Sequence, residues 1–197
     1  ARYIEKRQET DASGVVIGFD SRNNSEVFAH AAAEVLAKHG IRVHLFRDIV
    51  PTPVVSYALL QKKAVAAIIL TASHNPPEYN GYKVYWGNGA QIIPPHDSGI
   101  SAHIAKNLKP AIDYNVSDSF VLNHELSEDV TDKVSSAYMA AIATQPSNTR
   151  ETNSDLKIAY TAMHGIGGKW IEMAFQKCSH EVLLNVPSQF EPDAEFP

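Results

Sequence analysis

Apolar residues in this chain follow two rhythms, and the changes between them mark out the elements. Val15-Val16-Ile17-Gly18-Phe19 is a short continuous apolar run, the pattern of a strand covered on both faces. Phe28, Ala31, Ala32, Val35 and Leu36 then recur at helical spacing behind an expected N-cap at Asn23-Asn24-Ser25. Gly40 ends that helix, because a left-handed cap costs glycine little. Ile41, Val43 and Leu45 alternate as a second strand, which completes a βαβ unit. Thr52 is the next expected N-cap, with Pro53 at the first helical position. Val54, Val55, Tyr57, Ala58 and Leu59 face inward on that helix, and Lys62-Lys63 suit its C-terminus. Ala64 to Leu70 is a third buried strand, and Tyr82 to Trp86 a short fourth.

Further along, Asp97-Ser98-Gly99 opens a helix through Ile100 and Ile104 to about Leu108, with Asp97 as N-cap. Asp113 to Asn123 is polar and reads as loop with a short strand. Asp129 to about Ala143 is helical, with Val130, Val134, Ala137, Tyr138, Ala141 and Ile142 inward. A polar run from Gln145 to Asp155 reads as a linker. Leu156 to Thr161 is then a strand, His164 to Gly168 a glycine-rich turn, Lys169 to Lys177 a helix and Val182 to Val186 a last strand. The expected division is a domain over 1–145, a linker over 146–155 and the beginning of a second domain over 156–197, all α/β, with no internal repeat evident.

Composition narrows the function. Hydrophobic content of 44% and charged content of 20% suit a globular protein with a core. The formal charge is −5 and basic residues form no block, so nucleic acid is not an expected partner. One cysteine, Cys178, excludes an internal disulfide and fits a reducing, cytoplasmic compartment; it reads as a buried small apolar residue. Apolar runs fall far short of the roughly 20 residues a membrane helix needs, so a membrane is not expected either. The charged start is no signal peptide, and a first residue other than Met suggests that the chain starts inside a longer protein.

The chemistry concentrates after the third strand. Thr71-Ala72-Ser73-His74-Asn75-Pro76-Pro77 brings a hydroxyl, an imidazole and a carboxamide to a strand end, and Lys83 follows ten residues after Ser73. Such groups suit a phosphate, with Ser73 as acceptor and His74 and Lys83 as cationic partners. An ordinary Ser-Asn-Pro turn explains the same residues equally well. Arg22 either faces this pocket or pairs with Asp20. The nucleophile elbow G-x-S-x-G is absent around Ser73, and Trp170 breaks both G-x-x-x-x-G-K-[ST] and G-x-G-x-x-G in the later glycine turn.

Thr71-Ala72-Ser73-His74-Asn75-Pro76 resembles the phosphoserine loop of the α-D-phosphohexomutase family. Asn80-Gly81-Tyr82-Lys83-Val84-Tyr85-Trp86, Asn88-Gly89-Ala90-Gln91 and Pro94-Pro95-His96-Asp97 are similar to its phosphoglucomutase/phosphopentomutase branch. Gly18-Phe19-Asp20-Ser21-Arg22 resembles the opening of the first domain, and Ala159 to Gly167 the start of the second. The resemblance implies a three-layer α/β/α first domain and part of a similar second. It implies a phosphomutase that passes a phosphoryl group between Ser73 and a sugar phosphate through a bisphosphorylated sugar. Ser73 would carry the phosphoryl group, and Lys83 would move the proton of the sugar hydroxyl. His74 would assist in the phosphate pocket, with Asn75 and Arg22 beside it. A lysine in that role must be held neutral by burial or neighbouring cations. Mg²⁺ is implied, bound through the phosphate on Ser73, and so is a sugar bisphosphate activator. The family's D-x-D-x-D-R metal loop does not occur here, nor does the glycine-and-arginine segment expected before the first strand. A fragment that is inactive alone is therefore expected, the alternative being a non-catalytic sugar-phosphate-binding relative.

Overall fold

A computed structural model of the chain describes residues 1–7, 14–109, 118–145, 157–178 and 183–197. Three strands, β1 (Val15–Phe19), β2 (Val43–Leu45) and β3 (Ala66–Leu70), are buried at every position, as their apolar runs require. They are parallel with β1 between the others: Val15 pairs with Val43 on one side and with Ala66 on the other. β5 (Ser127–Asp129) adds parallel to β2, and β4 (Tyr82–Trp86) adds antiparallel to β3, so the order is β4-β3-β1-β2-β5.

Alternate side chains of the sheet feed two cores. Val15, Ile17, Phe19, Val43, Leu45, Ile68 and Leu70 pack toward α2 (Ser25–Lys38) and α5 (Asp118–Asn123). Val16, Ala67 and Ile69 pack toward α3 (Thr52–Lys62) and α6 (Thr131–Ala143). The result is the three-layer α/β/α domain. Beside β4, α1 (Arg2–Lys6) meets α4 (His96–Ala105), with the Tyr3 ring 5.6 Å from Trp86 and Trp86 stacked on His96 at 4.1 Å.

A smaller α/β unit follows. β6 (Ile158–Tyr160) and β7 (Leu183–Asn185) pair in parallel, joined through α7 (Gly167–Lys177), which packs on α6 with Trp170 edge-on to Tyr138 at 6.4 Å. The expected linker, 146–155, lies outside the described residues.

Several local expectations are corrected. Helix α2 buries Ala29, Ala33, Leu36 and Ala37 with His30 and Glu34, while Phe28 is 44% exposed. The alanine face lets the helix lie close to β1 and β3, where Phe28 would hold it off. Asn24 precedes α2 in the left-handed region at φ +65° without a side-chain cap bond. Pro51 and Pro95, not Thr52 and Asp97, precede the first turns of α3 and α4. Asp97 sits inside its first turn, where its Oδ1 accepts the Ser98 N–H at 2.6 Å. The 118–123 stretch is helix and not loop, because Val121 and Leu122 pack into the core beside α2. In α6 the buried positions are Val134 and Met139. Cys178 is a half-buried C-cap of α7 and not a core residue.

Candidate functional site

The chain leaves β1 for β2 on one side and reaches β3 on the other, so the crevice between the carboxyl ends of β1 and β3 is a topological switch point. Two loops meet there. The first is Asp20 to Asn24, running from β1 to α2; the second is Thr71 to Gly81, running from β3 back to β4.

The second loop is built from the backbone outward. Thr71 N–H donates to the Gly81 carbonyl at 3.0 Å, which continues the β3–β4 ladder. The Thr71 hydroxyl accepts the Ser73 N–H at 3.0 Å, and the Ala72 carbonyl accepts the Asn75 N–H at 3.1 Å. These bonds hold Ser73 at φ +57°, in the left-handed region. A non-glycine residue there costs about 1–2 kcal/mol. Ser73, His74 and Asn75 are exposed, and Ser73 Oγ lies 3.4 Å from His74 Nδ1.

Arg22 sits beneath this loop at 4% exposure. Its Nη1 donates to the carbonyls of Pro76 (2.8 Å) and Tyr79 (3.1 Å), and its Nη2 to those of Ser73 (2.9 Å) and Asn75 (2.6 Å). Its Nε lies 3.4 Å from Asp20 Oδ2, so it both pairs with Asp20 and reaches the loop. Asp20 Oδ1 in turn accepts the Arg22 N–H at 3.1 Å and the Ser25 hydroxyl at 2.8 Å. A hydrogen bond from a charged donor is worth about 1.5–3 kcal/mol, so these bonds outweigh the strain at Ser73.

The second unit reaches the same place. The Phe196 ring lies 5.0 Å from the Arg22 guanidinium, and Asn23 Nδ2 donates to Glu195 Oε1 at 2.7 Å. Asn80 Nδ2 donates to the Asn23 carbonyl at 2.9 Å. Lys83 lies in β4 opposite Ile69, half-buried, on the sheet face that carries α3. Among the described residues it has no ion-pair partner, and the Asn75 carboxamide has no hydrogen-bond partner. Asn75 anchors the loop through its backbone instead.

His96 and Asp97 form no relay. His96 Nδ1 pairs with the Tyr3 hydroxyl at 3.2 Å. His164, at φ +60°, holds a turn: its N–H donates to the Gln189 carbonyl at 3.0 Å, and its carbonyl accepts the Asp193 N–H at 2.9 Å. That turn discloses a repeat. Thr161-Ala162-Met163-His164-Gly165 matches Thr71-Ala72-Ser73-His74-Asn75, with Met163 N–H donating to the Thr161 hydroxyl at 3.0 Å, Gly165 N–H to the Ala162 carbonyl at 2.8 Å, and Met163 at φ +49°. The T-A-x-H string was present in the sequence both times; Met163 in the place of Ser73 hid it.

Among the described residues no group of three or more His, Cys, Asp or Glu could hold a metal ion. No helix among them is long and apolar enough to cross a membrane.

Residues 1–111 match the family model "Phosphoglucomutase/phosphomannomutase, alpha/beta/alpha domain I", and residues 136–197 match that for domain II. The phosphopentomutase of Pongo abelii is 41% identical over 206 residues, covering 100% of this chain and 33% of that protein. The glucose 1,6-bisphosphate synthase of Homo sapiens is 38% identical, covering 99% of this chain and 32% of its own length. Among solved structures, the putative phosphomannomutase from Thermus thermophilus superposes with a TM-score of 0.78 at 27% identity, covering 99% of this chain and 40% of that one. The chain thus spans about a third of the length of these curated relatives.

Proposed function

The chain belongs to the phosphoglucomutase/phosphomannomutase family, and from that premise we propose that Ser73 is its phosphoryl carrier, in a sugar phosphomutase that interconverts the 1-phosphate with the 5- or 6-phosphate of a pentose or hexose. The observation that carries this reading is the Ser73 hydroxyl, exposed on a strained turn at the switch point of the sheet.

The steps use this chain's own groups. A sugar hydroxyl attacks the phosphate on Ser73; the bond from phosphorus to Oγ breaks as the bond to the sugar oxygen forms. The hydroxyl proton passes to Lys83 Nζ, and the departing Oγ takes a proton from the His74 imidazole beside it. The product is a sugar bisphosphate. In the return step its other phosphate is transferred to Ser73 and both protons retrace their paths. A phosphoserine carries roughly −1.5 to −2 charges near neutrality, so the proton that His74 delivers to Oγ also offsets charge on the phosphate before transfer. Asn75 is proposed to line the same pocket. Magnesium, which the resemblance implies, finds no cage among the described residues, and no step is written through it. A cytoplasmic location belongs to the same proposal.

Intact-mass analysis and peptide mapping of protein purified without phosphatase test the reading. Stoichiometric phosphate on Ser73, absent from Ser73→Ala, is expected. Phosphate elsewhere with none on Ser73 would sink it.

A further inference from the structure

Arg22 pairs with Asp20 through Nε, and the donors of its two terminal nitrogens are already taken. The two terminal nitrogens of the guanidinium give their hydrogens to the carbonyls of Ser73, Asn75, Pro76 and Tyr79, and Nε faces Asp20. A phosphate oxygen reaching Arg22 would have to displace a loop carbonyl, and the side chain is sealed from solvent at 4% exposure.

The consequence lies on the other side of the peptide planes. In a trans peptide the C=O and the following N–H point in opposite directions. With the Ser73 carbonyl turned down onto Nη2, the His74 N–H is turned away from the guanidinium, toward the exposed face where Ser73 and His74 lie. That N–H has no acceptor among the described residues. The Asn75 and Pro76 carbonyls are each followed by a proline, which has no N–H, so they turn inward without orphaning a donor. Phe196 closes the assembly by lying over the guanidinium at 5.0 Å, a cation–π contact from the second unit.

We propose that Arg22 is the positioning residue of the Ser73 loop: it fixes the Ser73–His74 peptide so that the hydroxyl and the His74 N–H face outward together, as an acceptor and a donor for one phosphoryl group, and Phe196 holds the guanidinium in that place. The functional half of this proposal rests on Ser73 as phosphoryl carrier; the structural half does not.

The test has an arm for each half. Amide hydrogen exchange on the unphosphorylated chain compares the wild type with Arg22→Lys, whose ammonium cannot span four carbonyls. Exchange at residues 72–80 should quicken by about tenfold or more while β1 and β3 stay protected. Equal acceleration across the sheet would make Arg22 a general stabiliser, and no acceleration at all would remove the clamp; either result overturns the proposal. If Arg22→Lys fails to fold, the wild-type arginine side-chain NMR spectrum decides: Arg22 should show resolved, slowly exchanging terminal N–H signals, and averaged signals like those of an exposed arginine would overturn it. Phe196→Ala should give an intermediate acceleration in the same segment.

The second arm reads phosphorus NMR of chain carrying phosphate on Ser73. Its titration should lie below the ordinary second phosphate pKa of about 6 in the wild type and move back toward it in Phe196→Ala. An unchanged titration would remove the donor role given to His74 N–H. Absence of phosphate from Ser73 altogether would instead fail the carrier reading and leave the exchange result standing.

Discussion

Lys83 is aimed by its register. It pairs with Ile69 in the antiparallel ladder, so its side chain shares the sheet face with Ile69 and Tyr85. Replacing it with Met keeps the aliphatic stem and removes the amine proposed as proton acceptor. Lys83→Met in the whole protein should leave the thermal midpoint nearly unchanged and lower turnover by roughly 10²–10⁴, the range for a lost acid–base group. Near-normal turnover in steady-state kinetics would leave Lys83 a strand residue with no part in proton transfer. Beside it, Gly81 admits no side chain, because a Cβ there would press on the Thr71 carbonyl that follows β3. At this scale the sequence singles out Ser73, His74 and Lys83 as candidates, because hydroxyl, imidazole and ammonium advertise their own chemistry. It left Arg22 open between two partners, because a guanidinium reads the same whether it meets a phosphate or four carbonyls. Nor did it disclose Phe196, whose ring reaches Arg22 from the far end of the chain.

Among the elements, β2, β5 and α3 share one carboxylate. Glu128 accepts Lys62 Nζ at 2.6 Å and pairs with His44 Nδ1 at 2.8 Å. Partial burial pushes this carboxyl up, but the hydrogen bonds and charges of Lys62 and His44 outweigh it and hold the group below its usual range. Since the folded value lies below the unfolded one, the stabilisation is fully present above the ordinary glutamate range and is lost as pH falls through the folded value. Glu128→Gln should therefore cost no more than about 1 kcal/mol near neutrality, because the side chain is 38% exposed and water screens the pair. The difference from wild type should shrink below about pH 4, as denaturant melts at several pH values would show; a constant difference would assign the effect to packing. The elements themselves were legible where continuous apolar runs set the strands β1 and β3 and helical periodicity set α3 and α6. The turned face of α2 was not, because alanine and phenylalanine both read as apolar and only the closeness of helix to sheet separates them. The short α5 was missed because its helix depends on Val121 and Leu122 docking beside α2, a contact no local pattern announces.

Over the whole molecule, burial is distributed unevenly. The three central strands are buried at every position, whereas Gly168 is the one buried residue among the described residues from 157 onward. Fraying free energies follow such differences. Hydrogen exchange on the 197-residue chain should show strong protection in β1, β2 and β3 and weak protection in β6, α7 and β7, and a mutase assay on it with Mg²⁺ and a sugar bisphosphate should show no turnover. Uniform protection together with activity would mean that the second unit is a self-sufficient domain. The α/β fold class was readable from strand and helix alternation; the meeting of residues 20–25, 73–81 and 195–196 was not, because it depends on strand order and on how the units dock. One consequence follows from the Ser73 loop standing between two adjacent, hydrogen-bonded strands, β3 and β4, with Thr71 bonded to Gly81 at its base. Such a loop is an arch with both footings in masonry, and the Arg22 clamp beneath it steadies the span. On the proposed reading, in which a sugar bisphosphate offers first one end and then the other to Ser73, the ligand does the turning, and the cleft grips it loosely enough to let it roll over.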